Sequence, residues 1–193
     1  MGAYSPAPVV TDEIYQRVMR EVIEPTVKGM RADGNTYKGF LYAGLMIAKD
    51  GSIKVLEYNC RFGDPETQPI MMRLKSNLPK LCSMAVDGLL DQAEIEWDNR
   101  ASLGVVLASD GYPGSYHSGE IIGLPKDSQD SKVFHAGTKS DGGKVLSSGG
   151  RVLCATSLGE SIQDAQKNAY KLVSRIDWAG SYYRTDIGFK AIS

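Results

Sequence analysis

Cysteine is scarce in this sequence and histidine scarcer, with three Cys and two His among 193 residues. Cys60, Cys82 and Cys154 are odd in number, widely spaced and without a CxxC pair. That pattern argues against a disulfide framework and a structural zinc site, and predicts buried thiols in a reducing cytosol. An excess of one charge is missing too. Twenty-two Lys and Arg stand against 23 Asp and Glu, for a net charge of −1, and no five like charges cluster. Neither a nucleic-acid face nor a polybasic membrane anchor is expected. No apolar run approaches the roughly 20 residues that cross a bilayer. Met1 leads into a Gly/Pro loop and not into the basic and apolar regions of a signal peptide. What remains is ordinary: 42% apolar and 23% charged residues, enough for a buried core in one large or two small domains.

Residues 1–8 have turn composition with no periodicity, so the chain reads as starting inside a loop. From Thr11 as N-cap, Ile14, Val18, Val22 and Ile23 recur near helical spacing, and Pro25 and Gly29 mark an exit, predicting one amphipathic helix over 12–28. Residues 40–48 and 53–58 are β-prone and flank Lys49-Asp50-Gly51-Ser52, a hairpin signal. Short helices are expected over 66–74 and from Leu78 to about Leu89, with Met71 and Met72 in a core. After Trp97 the pattern changes to short strands (102–109, 119–123, 132–136, 144–147, 150–157) and a helix, 161–176, that covers one face of their sheet. The fold class is α+β, with residues 1–97 as one domain and 98–193 as a second. Gly142-Gly143 and Gly149-Gly150 read as turns, since neither forms a nucleotide loop.

The densest chemical signal is Glu57-Tyr58-Asn59-Cys60-Arg61-Phe62-Gly63-Asp64-Pro65-Glu66-Thr67-Gln68. If the strand runs through Arg61, its period of two puts Glu57, Asn59 and Arg61 on one face and Tyr58 and Cys60 on the other. A carboxylate and an amide oxygen suit a hard Mg²⁺ that also holds phosphates, and a nearby guanidinium suits charge on a transferred phosphoryl group. The plainer reading is a cross-face Glu57–Arg61 ion pair followed by a turn into a helix. His135 reads as a packed or hydrogen-bonded sheet residue, His117 as a loop residue without a role, and Tyr112-Pro113-Gly114 as a turn. Lys38 and Arg184 read as solvated side chains.

That run, preceded by Tyr42-Ala43-Gly44-Leu45-Met46, resembles the metal-binding strand pair of glycinamide ribonucleotide synthetases, the phosphoribosylamine-glycine ligases of the ATP-grasp superfamily. Met1 to Pro8 resembles the family's loop between ATP-grasp subdomains. Ser102 to Ala108, Gly111-Tyr112-Pro113-Gly114, Phe134 to Thr138, Gly149 to Leu153 and Arg184 to Gly188 resemble its C-terminal domain. The resemblance covers essentially the whole chain. It implies the distal part of an ATP-grasp domain over 1–97, the family's C-terminal domain over 98–193, and an active site between them.

The implied activity is ligation of glycine to 5-phosphoribosylamine in purine synthesis, with ATP and Mg²⁺ or Mn²⁺ as cofactors and a glycyl phosphate intermediate. Glu57 and Asn59 match the metal ligands, Arg61 the group facing the phosphoryl oxygens, and Asp64 and Thr67 the substrate-binding segment, where Asp64 could meet an amine. Two departures stand out. The strand Tyr42 to Met46 carries no acid where many ATP-grasp enzymes place a further metal ligand. The N-terminal α/β domain and nucleotide-covering lid of a full synthetase have no counterpart here, so these segments are expected as partners and the chain alone is expected to lack ligase activity. The rival readings are another ATP-grasp ligase or carboxylase, disfavoured by the Gly63 to Thr67 run, and a non-catalytic piece that completes a split site.

Overall fold

Ala101–Ser109, a strand here called β4, is buried along its whole length, and a strand buried on both faces reads as a continuous apolar run. In a computed structural model, which describes residues 1–192, β4 is central to the larger of two units. Unit one comprises Met1–Pro6, Pro65–Leu74 and Trp97–Ser193, of which Ser193 is not described. Unit two comprises Ala7–Asp64 and Lys75–Glu96.

The main sheet of unit one is antiparallel and ordered β1 (Gly2–Ser5), β4, β9 (Arg151–Gly159), β6 (Ser131–His135). A short strand, β10 (Ser181–Tyr182), continues along the β4 edge that β1 occupies. Helices cover both faces. The helix α5 (Ile162–Val173) buries Ala165, Ala169, Leu172 and Val173 against Leu103, Val105, Leu107, Leu153 and Ala155. Its N-cap is Ser161, which accepts from Asp164 N at 3.1 Å and donates to the Asp164 carboxylate at 2.7 Å, satisfying a first-turn amide. The other face takes α3 (Thr67–Arg73). A Cβ at Gly104 would lie 3.3 Å from Pro69 and 2.9 Å from Cys154 Sγ, so the bare residue permits that close approach. A second sheet holds β5 (Ile121–Ile122), β8 (Lys144–Ser147) and β7 (Thr138–Asp141). Gly142 and Gly143 join β7 to β8 at φ of +54° and +76°, as a two-residue hairpin turn requires.

Unit two is a hairpin, β2 (Tyr42–Ile47) and β3 (Ile53–Asn59), accompanied by helices. Thr11 caps α1 (Asp12–Val18) through Ile14 N, and helical structure continues through a π segment, Met19–Ile23, into α2 (Glu24–Ala32). The helical stretch expected to end at 28 runs on to Ala32, with Pro25 inside it. A proline ring clashes with the carbonyl four residues back, and the wider π turn just ahead of Pro25 accommodates it. A separate helix, α4 (Leu78–Asp87), is capped by Asn77 and closed by Gly88 at φ +75°. Its apolar stripe contains no buried residue.

Other expectations also need correcting. Residues 2–5 are a strand and not a loop, because the exposed edge of β4 supplies backbone partners that composition cannot reveal. The strand expected over 119–123 shortens to Ile121–Ile122, and β7 and β10 are additional. Met71 and Met72 are only half-buried. No helix among the described residues is long and apolar enough to cross a membrane.

Candidate functional site

In unit two, the hairpin pairs Tyr42 with Asn59, Ala43 with Tyr58 and Gly44 with Glu57, then shifts register so that Leu56 has no opposite residue. A bulge of this kind bends the strand and re-aims the side chains beside it. Directly opposed residues share a face, so Glu57 and Asn59 stand on the side of Tyr42 and Gly44. Their side chains meet, with Asn59 Nδ2 donating to Glu57 Oε1 at 3.1 Å. A Cβ on residue 44 would lie 3.0 Å from Glu57 Cγ. Gly44 therefore leaves room for the Glu57 side chain over β2, at the position where the sequence shows no acid.

The opposite face is tied to the helices. Thr26 Oγ1 gives its proton to Val22 O at 2.7 Å, so the Tyr58 hydroxyl, 2.9 Å away, donates to Thr26. At the far end of the hairpin Arg17 Nη1 donates to Gly51 O at 2.8 Å, while its Nε pairs with Glu21 one turn on. The Glu21 hydrogen bond raises the Arg17 pKa, and Arg17 in turn lowers that of Glu21. These ties hold β3 on its helix and leave Glu57 and Asn59 on the other side.

Arg61 does not join them. β3 ends at Asn59, and Arg61 Nη1 donates to Phe62 O at 2.8 Å. The Phe62 ring lies against Phe40, centroids 4.1 Å apart, and Gly63 is buried, so the chain is drawn out of the ladder before Arg61. Asp64 is exposed and is the last residue of unit two in this passage, whereas Thr67 opens α3 in unit one. The conspicuous run thus crosses from one unit into the other at Pro65.

No group of three or more His, Cys, Asp or Glu among the described residues could hold a metal ion. The oxygen donors at the hairpin are instead one carboxylate and one carboxamide. That set fits a hard divalent cation, which is commonly held by one or two protein oxygens with water and phosphate oxygens completing its shell. Gly44 was not singled out in the sequence. Its signal, a bare residue inside a strand, marks close approach but says nothing of what approaches until the register is known.

Elsewhere, His135 is exposed and hydrogen-bonded through Nδ1 to Thr138 Oγ1 at 3.0 Å. The Tyr112 ring occupies the space above Gly150. Lys38 and Arg184 are less free than expected, since Lys38 Nζ donates to Val86 O and Arg184 forks onto Asp186. All three cysteines are free thiols, and only Cys154 is buried.

Comparison with known proteins defines the class first. Residues 1–67 match the family model for the phosphoribosylglycinamide synthetase ATP-grasp (A) domain, and residues 102–190 that for the synthetase C domain. Proteins named phosphoribosylamine--glycine ligase from Vibrio cholerae and Salmonella typhimurium are 63% and 66% identical over 195 aligned residues covering 100% of this chain. A crystal structure of phosphoribosylamine--glycine ligase from Thermotoga maritima superposes with a TM-score of 0.79 at 34% identity, over 96% of this chain and 46% of that one. The chain therefore belongs to the phosphoribosylamine–glycine ligase family. It spans about half, 46%, of the length of the curated relatives it matches. The biotin carboxylase domain of Hydrogenobacter thermophilus 2-oxoglutarate carboxylase, crystallised with MgADP, shares the fold at a TM-score of 0.68 and 16% identity, over 100% of this chain and 44% of that one.

Proposed function

We propose that this chain supplies the metal and phosphate side of an enzyme that ligates glycine to 5-phosphoribosylamine in purine synthesis. In that reaction the glycine carboxylate takes the γ-phosphoryl group of ATP and ADP leaves. The amine of 5-phosphoribosylamine then attacks the carbonyl of the resulting glycyl phosphate, and phosphate departs to give glycinamide ribonucleotide. A carboxylate needs such a leaving group before an amine can displace it, and the protein contributes positioning and charge neutralisation. The carrying observation is the Glu57–Asn59 pair laid over Gly44.

Glu57 and Asn59 would hold Mg²⁺ or Mn²⁺ with their oxygens, the Asn59 carboxamide turning its oxygen outward. When bound, the ion neutralises phosphate charge. Arg61 is an exposed, long side chain two residues on, free to leave its Phe62 carbonyl on a fast rotamer timescale and face phosphoryl oxygens. Asp64 is assigned to the amine and Thr67 to substrate binding. The functional division proposed, residues 1–97 and 98–193, is supported by the two matched stretches. The compact units follow a different line because β1 and α3 pack with the later sheet. The cytosol is the compartment proposed, supported by three free thiols. The relatives are about twice as long, which supports the reading that further segments of the same enzyme act as partners and that this chain alone is inactive.

The test is isothermal calorimetry of Mg-ADP and Mg-ATP with the chain and with Glu57→Ala, each checked by circular dichroism. Weak, magnesium-dependent heat that disappears in the variant is expected. Equal heat from both folded proteins would overturn the assignment of Glu57.

A further inference from the structure

The hairpin does not account for a cluster of cations in unit one. A cleft of about 240 Å³ is lined by Lys126, Ser128, Ser131, Asn168, Lys171, Leu172 and Arg175. Asn168, Lys171 and Leu172 stand at i, i+3 and i+4 on one face of α5, and Arg175 follows in the turn just past its C-terminal end. Leu172, 3% exposed, is the apolar residue of that face. Lys126 and Ser128 come from the segment after β5, and Ser131 begins β6. Two independent pieces of chain thus bring positive charge to one concavity.

The nearby acids do not neutralise it. Asp127 binds Lys132 at 3.0 Å and Asp130 binds Arg100 at 2.9 Å, and Asp164 is engaged by its own N-cap serine. Lys126, Lys171 and Arg175 have no ion-pair partner among the described residues. A helix C-terminus favours cations and accounts for Lys171 and Arg175 singly. It does not account for Lys126 arriving from outside the helix. The polar groups beside the cations are anchored, since Asn168 Nδ2 donates to Leu158 O at 3.0 Å and Ser131 Oγ lies 2.8 Å from Ser157 Oγ.

We propose that this cleft is an anion subsite for a phosphate group carried by a small molecule, separate from the hairpin. Lysine and arginine donate charge-assisted hydrogen bonds to phosphate oxygens, and the serine hydroxyls can add neutral ones. A single small concavity on a chain of net charge −1 favours a small phosphate over a nucleic-acid backbone, which needs an extended row of cations.

The test titrates inorganic pyrophosphate by calorimetry, in EDTA without divalent metal, into the chain and into Lys171→Gln/Arg175→Gln. Binding to the wild type, weakened about tenfold or more in the double variant, is expected, the scale of losing even one charged hydrogen bond. Arg175→Lys should retain most of the affinity. Absence of binding by the wild type would overturn the proposal. So would an equal loss in Lys139→Gln/Lys144→Gln, which would reveal unspecific electrostatics. Tighter binding of a short single-stranded oligonucleotide than of pyrophosphate would replace it with a nucleic-acid partner.

Discussion

Unit one buries nearly all of β4 and β9 between α3 and α5, whereas in unit two only Val22 and Gly63 are buried. The hairpin that carries Glu57 and Asn59 is apolar and open, with Leu56 64% and Met46 54% exposed. A two-stranded hairpin has little stability alone and relies on what packs on it. The comparison teaches that the scaffold and the candidate chemistry are carried by parts of very different cohesion. Unit one can hold its shape by its own core. Unit two is held by a few specific ties, Arg17 to Gly51 and Tyr58 to Thr26 among them.

Core truncation sharpens that contrast most. Leu103→Ala, at a fully buried site in unit one, should lower unfolding stability by about 2–5 kcal/mol in urea titrations. Val22→Ala removes less buried carbon and should cost about 1–2 kcal/mol, and hydrogen exchange should show it loosening α1 and α2 without reaching β4 and β9. Equal effects on both units would mean that they unfold as one.

One type of substitution should change sign between them. A Cβ at Gly159 would lie 2.2 Å from Ala165 N, so Gly159→Ala forces β9 and α5 apart and should cost about 1–3 kcal/mol. Gly29 lies in α2 with nothing within 4 Å of an added Cβ. Gly29→Ala should therefore gain about 0.5–1 kcal/mol. Thermal melts that fell for both would show that space is not what separates the two sites.

The smallest effect is electrostatic and confined to unit one. Partial burial pushes the Asp127 carboxyl up, but the Lys132 ammonium and the Val133 amide together hold it below its ordinary value. A carboxyl with a depressed folded pKa contributes stability above its unfolded pKa, and the contribution is lost as pH falls through the folded one. Asp127→Asn should lower stability by about 0.2–1 kcal/mol near neutral pH, the range of exposed ion pairs. The difference should shrink as the buffer is taken below the usual aspartate range, in paired melts. A gap that widened in acid would reverse the sign argued here.

Much of this was legible beforehand, for physical reasons that can be located. The helix α5 announced itself because one face is buried and the other solvated, and the paired glycines at 142–143 because a two-residue turn demands them. The pairing of Glu57 with Asn59 followed from strand period. What was not legible depended on partners distant in sequence. β1 exists because β4 offers an edge, Arg61 leaves the ladder because Phe62 finds Phe40, and Gly44 matters because of Glu57 across the hairpin. The π segment inside the first helical stretch, Met19–Ile23, was hidden because a π turn leaves no mark in periodicity.

The pairing of β1 with β4 bears on synthesis as well as structure. Gly2 lies opposite Val105, roughly a hundred residues later, and all of unit two is encoded between them. On a ribosome the hairpin and its helices emerge before the strand that β1 needs, so β1 waits unpaired while unit two is made. Contacts this distant slow folding. A nascent chain paused before β4 would carry β1 as an unpaired strand, with its backbone donors and acceptors left to water.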